Sequence, residues 1–196
     1  MRKKLFFTSI LTSFFIFNSC QENDAIKPNI VWLVIEDQSQ YFFPFYGDDT
    51  IELQNINQLL DNGIVYEGMN SPYPVCAPSR SAIITGMYPN SIGTGNQRAY
   101  SYYRAEREEH EKQLGFPFYS SKFAEQIKPF TQILRENGYY TSNNSKEDYN
   151  FKLTKEAWDD SSINASWENR DGSEPFFSVF NFGITHESQI WLRDEQ

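Results

Sequence analysis

Six consecutive apolar residues, Ile30-Val31-Trp32-Leu33-Val34-Ile35, end abruptly at two carboxylates, Glu36-Asp37. The run is rich in β-branched side chains, too short for a buried helix, and shows no polar alternation. It predicts a central strand covered on both faces, the environment that a parallel sheet provides. Parallel sheets of this kind gather their functional groups at the carboxyl ends of strands, where Glu36 and Asp37 stand. Neighbouring acids repel one another and ask for a cation, and oxygen-only donors suit Ca²⁺ or Mg²⁺. A solvated loop entry is the alternative reading of the pair.

The rest of the chain alternates helical and strand patterns. Residues 55–63 place Ile56, Leu59 and Leu60 on one helical face, with Gly63 as a stop. Residues 64–68 read as a following strand. Residues 130–138 form a second amphipathic helix with a glycine stop, and strands follow at 139–144 and 175–182. The expected fold is α/β, a mostly parallel central sheet flanked by helices. The charged stretch 99–113 reads as a solvated helix or insertion, with His110 on its surface. The glycine-containing stretch 92–97 lacks the third glycine of a G-x-G-x-x-G loop, so no nucleotide role is assigned to it. The 196-residue chain carries a net charge of -9, which argues against a nucleic-acid partner.

A loop entering a helix lies between these elements. Pro72, Pro74 and Pro78 forbid regular structure ahead of it, Ser79 is the expected N-cap, and Gly86 ends a short apolar run. Cys76 then falls just before a helix N-terminus, where unpaired N–H groups and the helix dipole favour an anion. Arg80 adds a planar fork of donors suited to a tetrahedral oxyanion. A buried thiol with Arg80 paired to a carboxylate is the plainer alternative.

The order Cys76-Ala77-Pro78-Ser79-Arg80 followed by Thr85-Gly86 resembles the signature of the type I sulfatases, C-x-P-S-R-x-x-x-x-T-G, at every fixed position. In that family, part of the alkaline-phosphatase-like superfamily, the cysteine is oxidised to formylglycine. The stretch Asn29 to Asp37 is similar to the family's N-[IV]-[VL]-x-[IL]-x-x-D-D, with Glu36 in place of the first aspartate. Leu134 to Asp148 is similar to L-x-x-x-G-Y-x-T-x-x-x-G-K-x-x, and Lys146 matches the lysine that contacts the sulfate. Ser145 stands for the usual glycine there and Asp148 for a common histidine. Some branches read N-N-x-K-x-D-Y-N, which this chain follows from Asn143 to Asn150. His186 occupies the place of the histidine that faces the leaving-group oxygen after the Pro175-Phe176-Phe177 strand. Imidazole suits that role because it titrates near working pH.

The resemblance therefore implies sulfate-ester hydrolysis. Catalytic residues would be Cys76, Arg80, Lys146 and His186, and Glu36, Asp37 and the oxidised Cys76 would hold the divalent cation. One hydroxyl of the hydrated formylglycine attacks sulfur. Lys146 and the metal neutralise the sulfate oxygens, His186 protonates the departing alkoxide, and the second hydroxyl expels sulfate. A maturating, formylglycine-generating enzyme is an implied partner. An exported bacterial member with aromatic loops suggests a sulfated polysaccharide as substrate. A phosphate or phosphonate ester hydrolase of the same superfamily is the first alternative, and an inactive, truncated or glycan-binding lipoprotein the second.

The amino terminus reads as a leader. Arg2-Lys3-Lys4 precedes an apolar stretch from Leu5 to Phe17 that is too short for a membrane span. Phe17-Asn18-Ser19-Cys20 resembles a lipobox of the loose Bacteroidetes form. The expectation is a lipoprotein signal at 1–20 with Cys20 lipidated, a tether at 21–27, and an incomplete sulfatase N-terminal catalytic domain at 28–196. Such a protein would be exported to the periplasm or outer membrane of a Gram-negative bacterium, anchored by its lipid. An ordinary signal peptide cut nearby is the alternative. With Cys20 lipidated, Cys76 has no partner in the chain for a disulfide. The family's later Asp-Asn or Asp-His metal pair and second lysine do not follow by Gln196, so little turnover is expected of this length alone.

Overall fold

The structure, a computed structural model, describes residues 26–98, 106–119, 121 and 126–190. The leader, Cys20, most of the tether and residues 191–196 lie outside the described residues.

Four strands form one parallel sheet: β1 (Ile30–Ile35), β2 (Tyr140–Asn144), β3 (Asp160–Ser161) and β4 (Phe176–Phe182), in the spatial order β1-β4-β2-β3. The helices are α1 (Gln54–Asp61), α2 (Cys76–Thr85), α3 (Arg107–Leu114) and α4 (Phe130–Glu136). This is the α/β arrangement expected, and the glycine stops behave as read. Gly86 and Gly138 take φ of +66° and +80°, a backbone conformation open to glycine without a Cβ penalty.

Three local expectations need correction. The first strand is not central. It lies at the end of the described sheet, and Val31, Trp32 and Leu33 are 43%, 38% and 57% exposed. The central place belongs to β4, whose first four residues are buried. Residues 64–68 form no strand, and Ile64 and Tyr66 are exposed. A β-prone sequence needs a neighbour to pair with, and no described strand pairs with this one. Finally, α2 begins at Cys76, not after Ser79. The Ser79 N–H already donates to the Val75 carbonyl at 3.0 Å. Pro78 fits this first turn because its missing N–H has no partner there to lose.

The core lies where α2 and α4 cross one face of the sheet. Phe177 of β4 is its centre, 1% exposed, with Trp32 edge-on at 4.9 Å, Phe130 at 5.2 Å and Trp158 stacked at 6.2 Å between ring centroids. Ile84 from α2 joins the same cluster. That packing fixes α2 over the sheet and so fixes where its first residue, Cys76, points along the strand ends.

A buried polar seam runs beside the apolar core. Thr141, Ser142 and Asn143 of β2 are essentially inaccessible. Each is compensated: Ser142 meets Ser178 across the strands at 2.6 Å, Thr141 donates to Asp159, and Asn143 donates to Ser161. Buried polar groups cost little once paired in this way.

Candidate functional site

Parallel strands deliver their carboxyl ends to one edge, and the chemistry collects there. Glu36 follows β1 directly. Its N–H donates to Phe182 O at 3.1 Å and its carbonyl accepts from the Thr185 hydroxyl, so the backbone is tied to the end of β4. The carboxylate is only 5% exposed. Burial of that kind is expensive without counter-charge. Two cations supply it: Arg80 Nη2 at 3.1 Å from Oε2 and Lys146 Nζ at 2.8 Å from Oε1. Arg80 is held in turn by Asn181 Oδ1 at 2.8 Å and by the Lys146 carbonyl at 3.1 Å. Asn181 donates to Asn143 Oδ1 and Asn144 O. A continuous chain thus links the β2 end, the β4 end and the second turn of α2.

Cys76 is the first residue of α2 and is partly buried. Burial pushes its thiol up, and the negative charge of the nearby Asp148 carboxylate pushes it further the same way. Asp148 itself is pulled in two directions. Burial works to raise its carboxyl, but the Arg98 hydrogen bond and charge, the Cys76 thiol and Lys146 prevail and hold it below the ordinary aspartate range. Arg98 Nη2 pairs with Asp148 Oδ1, and Lys146 Nζ lies 3.5 Å from Oδ2. Lys146 therefore stands between two carboxylates.

Asp37 turns the other way. Its φ is +53°, and its Oδ2 accepts from Glu187 N at 2.8 Å. His186 lies on the loop that this contact anchors. Glu36, Cys76 and His186 each bring one candidate ligand atom within 4.8 Å of the others, and Asp37 is not in that group. Ser188 N–H donates to His186 Nδ1 at 3.1 Å. The neutral ring then carries its proton on Nε2 and is a donor there, not a lone pair for a metal. Glu36 and Asp37 have oxygen donors of the kind that suit a hard divalent cation, but here Arg80 and Lys146 balance the Glu36 charge and the Glu187 N–H holds Asp37.

Beside these groups opens a cavity of about 720 Å³. Glu36, Asp37, Cys76 and Arg80 line its polar end, and Trp32 and Phe130 its apolar end.

Five of the residues singled out from sequence, Glu36, Cys76, Arg80, Lys146 and His186, thus come together, with Asp37 adjacent but turned aside. Sequence reasoning missed Arg98 and Asn181 as members of the site, and took Asp148 only as a departure from a pattern. A signal for Asn181 was there, as the one amide, between Phe180 and Phe182, in a strand whose only other polar residue is Ser178.

The family model described as Sulfatase matches residues 28–192. An ulvan-active sulfatase of Formosa agariphila is 44% identical over 165 residues, 84% of this chain and 26% of that protein. Human arylsulfatase D is 28% identical over 118 residues, 60% of this chain and 18% of that protein. The chain thus spans about a quarter or less of these relatives' length. Among solved structures, one in complex with its substrate D-glucosamine-2-N,6-O-disulfate superposes with a TM-score of 0.60 at 18% identity, covering 82% of this chain and 35% of that one. The crystal structure of Ps i-CgsB in complex with k-i-k-neocarrahexaose gives the same TM-score at 17% identity, covering 82% and 46%. At these identities the two structures speak for the fold.

Proposed function

Because the chain belongs to the sulfatase family, we propose that it serves the hydrolysis of sulfate esters on sulfated polysaccharides, with Cys76 oxidised to formylglycine as the reacting residue. The observation that carries this reading is the convergence of Cys76, Arg80, Lys146 and His186 on the buried Glu36 carboxylate. The names of the relatives, which include ulvan-active sulfatases and N-acetylgalactosamine-6-sulfatases, support a glycan as the substrate class.

Each side chain has work suited to its chemistry. Cys76 sits at the positive end of a ten-residue helix, where a tetrahedral anion is welcome. Arg80 and Lys146, already turned to a carboxylate, are placed to share their charge with sulfate oxygens. His186, with its proton on Nε2, supplies it to the departing sugar oxygen. Asn181 and the Lys146 carbonyl hold the Arg80 fork in one orientation, so little reorganisation is needed when an anion arrives. Glu36 and Asp37 would hold a divalent cation, Ca²⁺ or Mg²⁺, which supplies Lewis-acid neutralisation of developing charge. Formylglycine supplies, when hydrated, two hydroxyls on one carbon where the thiol now stands. In the same proposal Cys20 is lipidated after export, tethering the domain to the periplasmic or outer membrane of its bacterium.

The test is mass spectrometry of the peptide carrying residue 76, from chain produced with and without a formylglycine-generating enzyme. It is paired with release of inorganic sulfate from sulfated polysaccharide and from an aryl sulfate. We expect conversion of Cys76 with little sulfate release from this length of chain, and none from Cys76→Ala. Unmodified Cys76 despite the maturating enzyme, or preferential turnover of the matching phosphate ester, overturns the reading.

A further inference from the structure

Arginine and a carboxylate often meet as a two-pronged fork, with both terminal nitrogens on both oxygens. Arg80 and Glu36 meet by one prong. Nη2 of Arg80 donates to Glu36 Oε2 at 3.1 Å, and Oε1 is taken by Lys146 Nζ at 2.8 Å. The other bonds of the guanidinium show what keeps it off the forked geometry. Nη2 also donates to Asn181 Oδ1 at 2.8 Å, and Nη1 donates to the Lys146 carbonyl at 3.1 Å. Asn181 is itself fixed. Its Nδ2 donates to the Asn144 carbonyl at 3.0 Å and to Asn143 Oδ1 at 2.9 Å. A carbonyl only accepts, so the amide stands one way round, with its oxygen turned to Arg80. Asn143 rests in turn on the Ser161 hydroxyl at 3.0 Å and is 1% exposed. One line of side-chain bonds thus runs from β3 through β2 and β4 to α2.

We propose that Asn181 is a positioning residue, which holds Arg80 to a one-pronged pairing with Glu36 and so keeps donors of the guanidinium open to a tetrahedral oxyanion. A guanidinium carries five N–H bonds, and among the described residues three of those on Arg80 are engaged. One on Nη1 and the one on Nε remain. A closed fork would draw Nη1 onto Glu36 as well and press Lys146 off Oε1. Arg80 and Glu36 line the cavity, and Asn181 does not. It therefore acts through Arg80 and not on what binds. Its neutrality counts too. Arg80 and Lys146 bring two positive charges against the single negative charge of Glu36, and Arg98 meets the Asp148 carboxylate beside Lys146. An amide at position 181 leaves that positive balance intact, where a carboxylate would cancel it.

The use of those donors rests on the proposed hydrolysis of sulfate esters. The restraint on Arg80 does not, and it is read in the unmodified chain. The measurement is nuclear magnetic resonance of the arginine side chains in the ¹⁵N-labelled full chain, with the Arg80 signals assigned through Arg80→Lys. A guanidinium held by several partners rotates slowly and shows separate Nη signals, whereas a released one shows a single averaged signal. Wild type is expected to show separate Arg80 Nη signals at low temperature, and Asn181→Leu an averaged one. Asn181→Asp keeps an acceptor for Arg80, because the Asn143 amide and the Ser161 hydroxyl can turn together to donate, so its signals should stay separate. Sodium sulfate is then titrated against sodium chloride at equal ionic strength, and the Arg80 Nε–H shift gives the sulfate dissociation constant. That constant should rise about fivefold in Asn181→Leu, the contribution of one hydrogen bond. It should rise in Asn181→Asp as well, through added charge. An averaged signal in wild type, or no sulfate-dependent shift there, overturns the proposal whether or not the variants fold. So does averaging in Asn181→Asp, which marks a general loosening. Separate signals or an unchanged sulfate constant in Asn181→Leu do the same. Unconverted Cys76 in matured chain, with Arg80 restrained as described, would sink the enzymatic reading and leave the role of Asn181 standing.

Discussion

Leu33 and Asn143 are both strand residues of one sheet, and their burial is the reverse of their polarity. Leu33 on β1 is 57% exposed, while Asn143 on β2 is 1% exposed. The β1 side is apolar and open. The β2–β4 side is laced with hydroxyls and amides and closed. Between β1 and β2, hydrophobicity alone is thus no guide to depth; available partners are. Every polar group in the β2 seam has a neighbour one strand away, whereas among the described residues nothing pairs with the outer edge of β1.

The contrast can be tested by removing groups from each side. Phe177→Ala strips the apolar residue that the closed side does bury, and should cost about 3–5 kcal/mol in urea unfolding. A loss below about 1 kcal/mol would mean that the closed side is not the stable one. Asn143→Leu comes next. It leaves the Ser161 hydroxyl without its donor and takes an acceptor from Asn181, for an expected cost of about 1–3 kcal/mol. An apolar gain here would show that the seam is maintained for the site and not for stability.

Acid should act on the closed side first. Asp148 has a folded-state carboxyl held below its unfolded value. Its contribution is therefore complete above the ordinary aspartate pKa and is lost as pH falls through that value towards the lower, folded one. Melting temperatures of wild type and Asp148→Asn, followed across that acid window, should converge as pH drops and differ most at neutral pH. Parallel curves would remove Asp148 from the account. The smallest effect is expected from Leu33→Ala, within about 0.5 kcal/mol of wild type by the same unfolding assay.

Much of this was legible in the chain. Apolar runs located β1 and β4, β2 was read from its place after the Gly138 stop, glycine stops marked the ends of α2 and α4, and the cysteine motif named the helix that carries the site. Glu36 and Lys146 were found as motif positions, although nothing in sequence said that they form an ion pair. What stayed hidden were relations across distance. The rank of β1 in the sheet depends on neighbours that a run of valines and isoleucines does not encode. Arg98 reaches Asp148 fifty positions away, and Asn181 reaches Arg80 across a hundred and one. Nothing in the sequence names either partner; the sheet brings each pair together. The helix start shifted for a local reason: Pro78 suited the first turn, so the helix extended back to Cys76.

The open flank of β1 has a practical side. Among the described residues β1 has one edge bonded and the other without a strand partner, an adhesive seam with apolar side chains beside it. Purified at high concentration, this length of chain is expected to self-associate, with sedimentation that rises with protein concentration and falls when Leu33 is exchanged for lysine. Solubility, more than thermal stability, is then what will decide how readily the 196-residue chain can be handled.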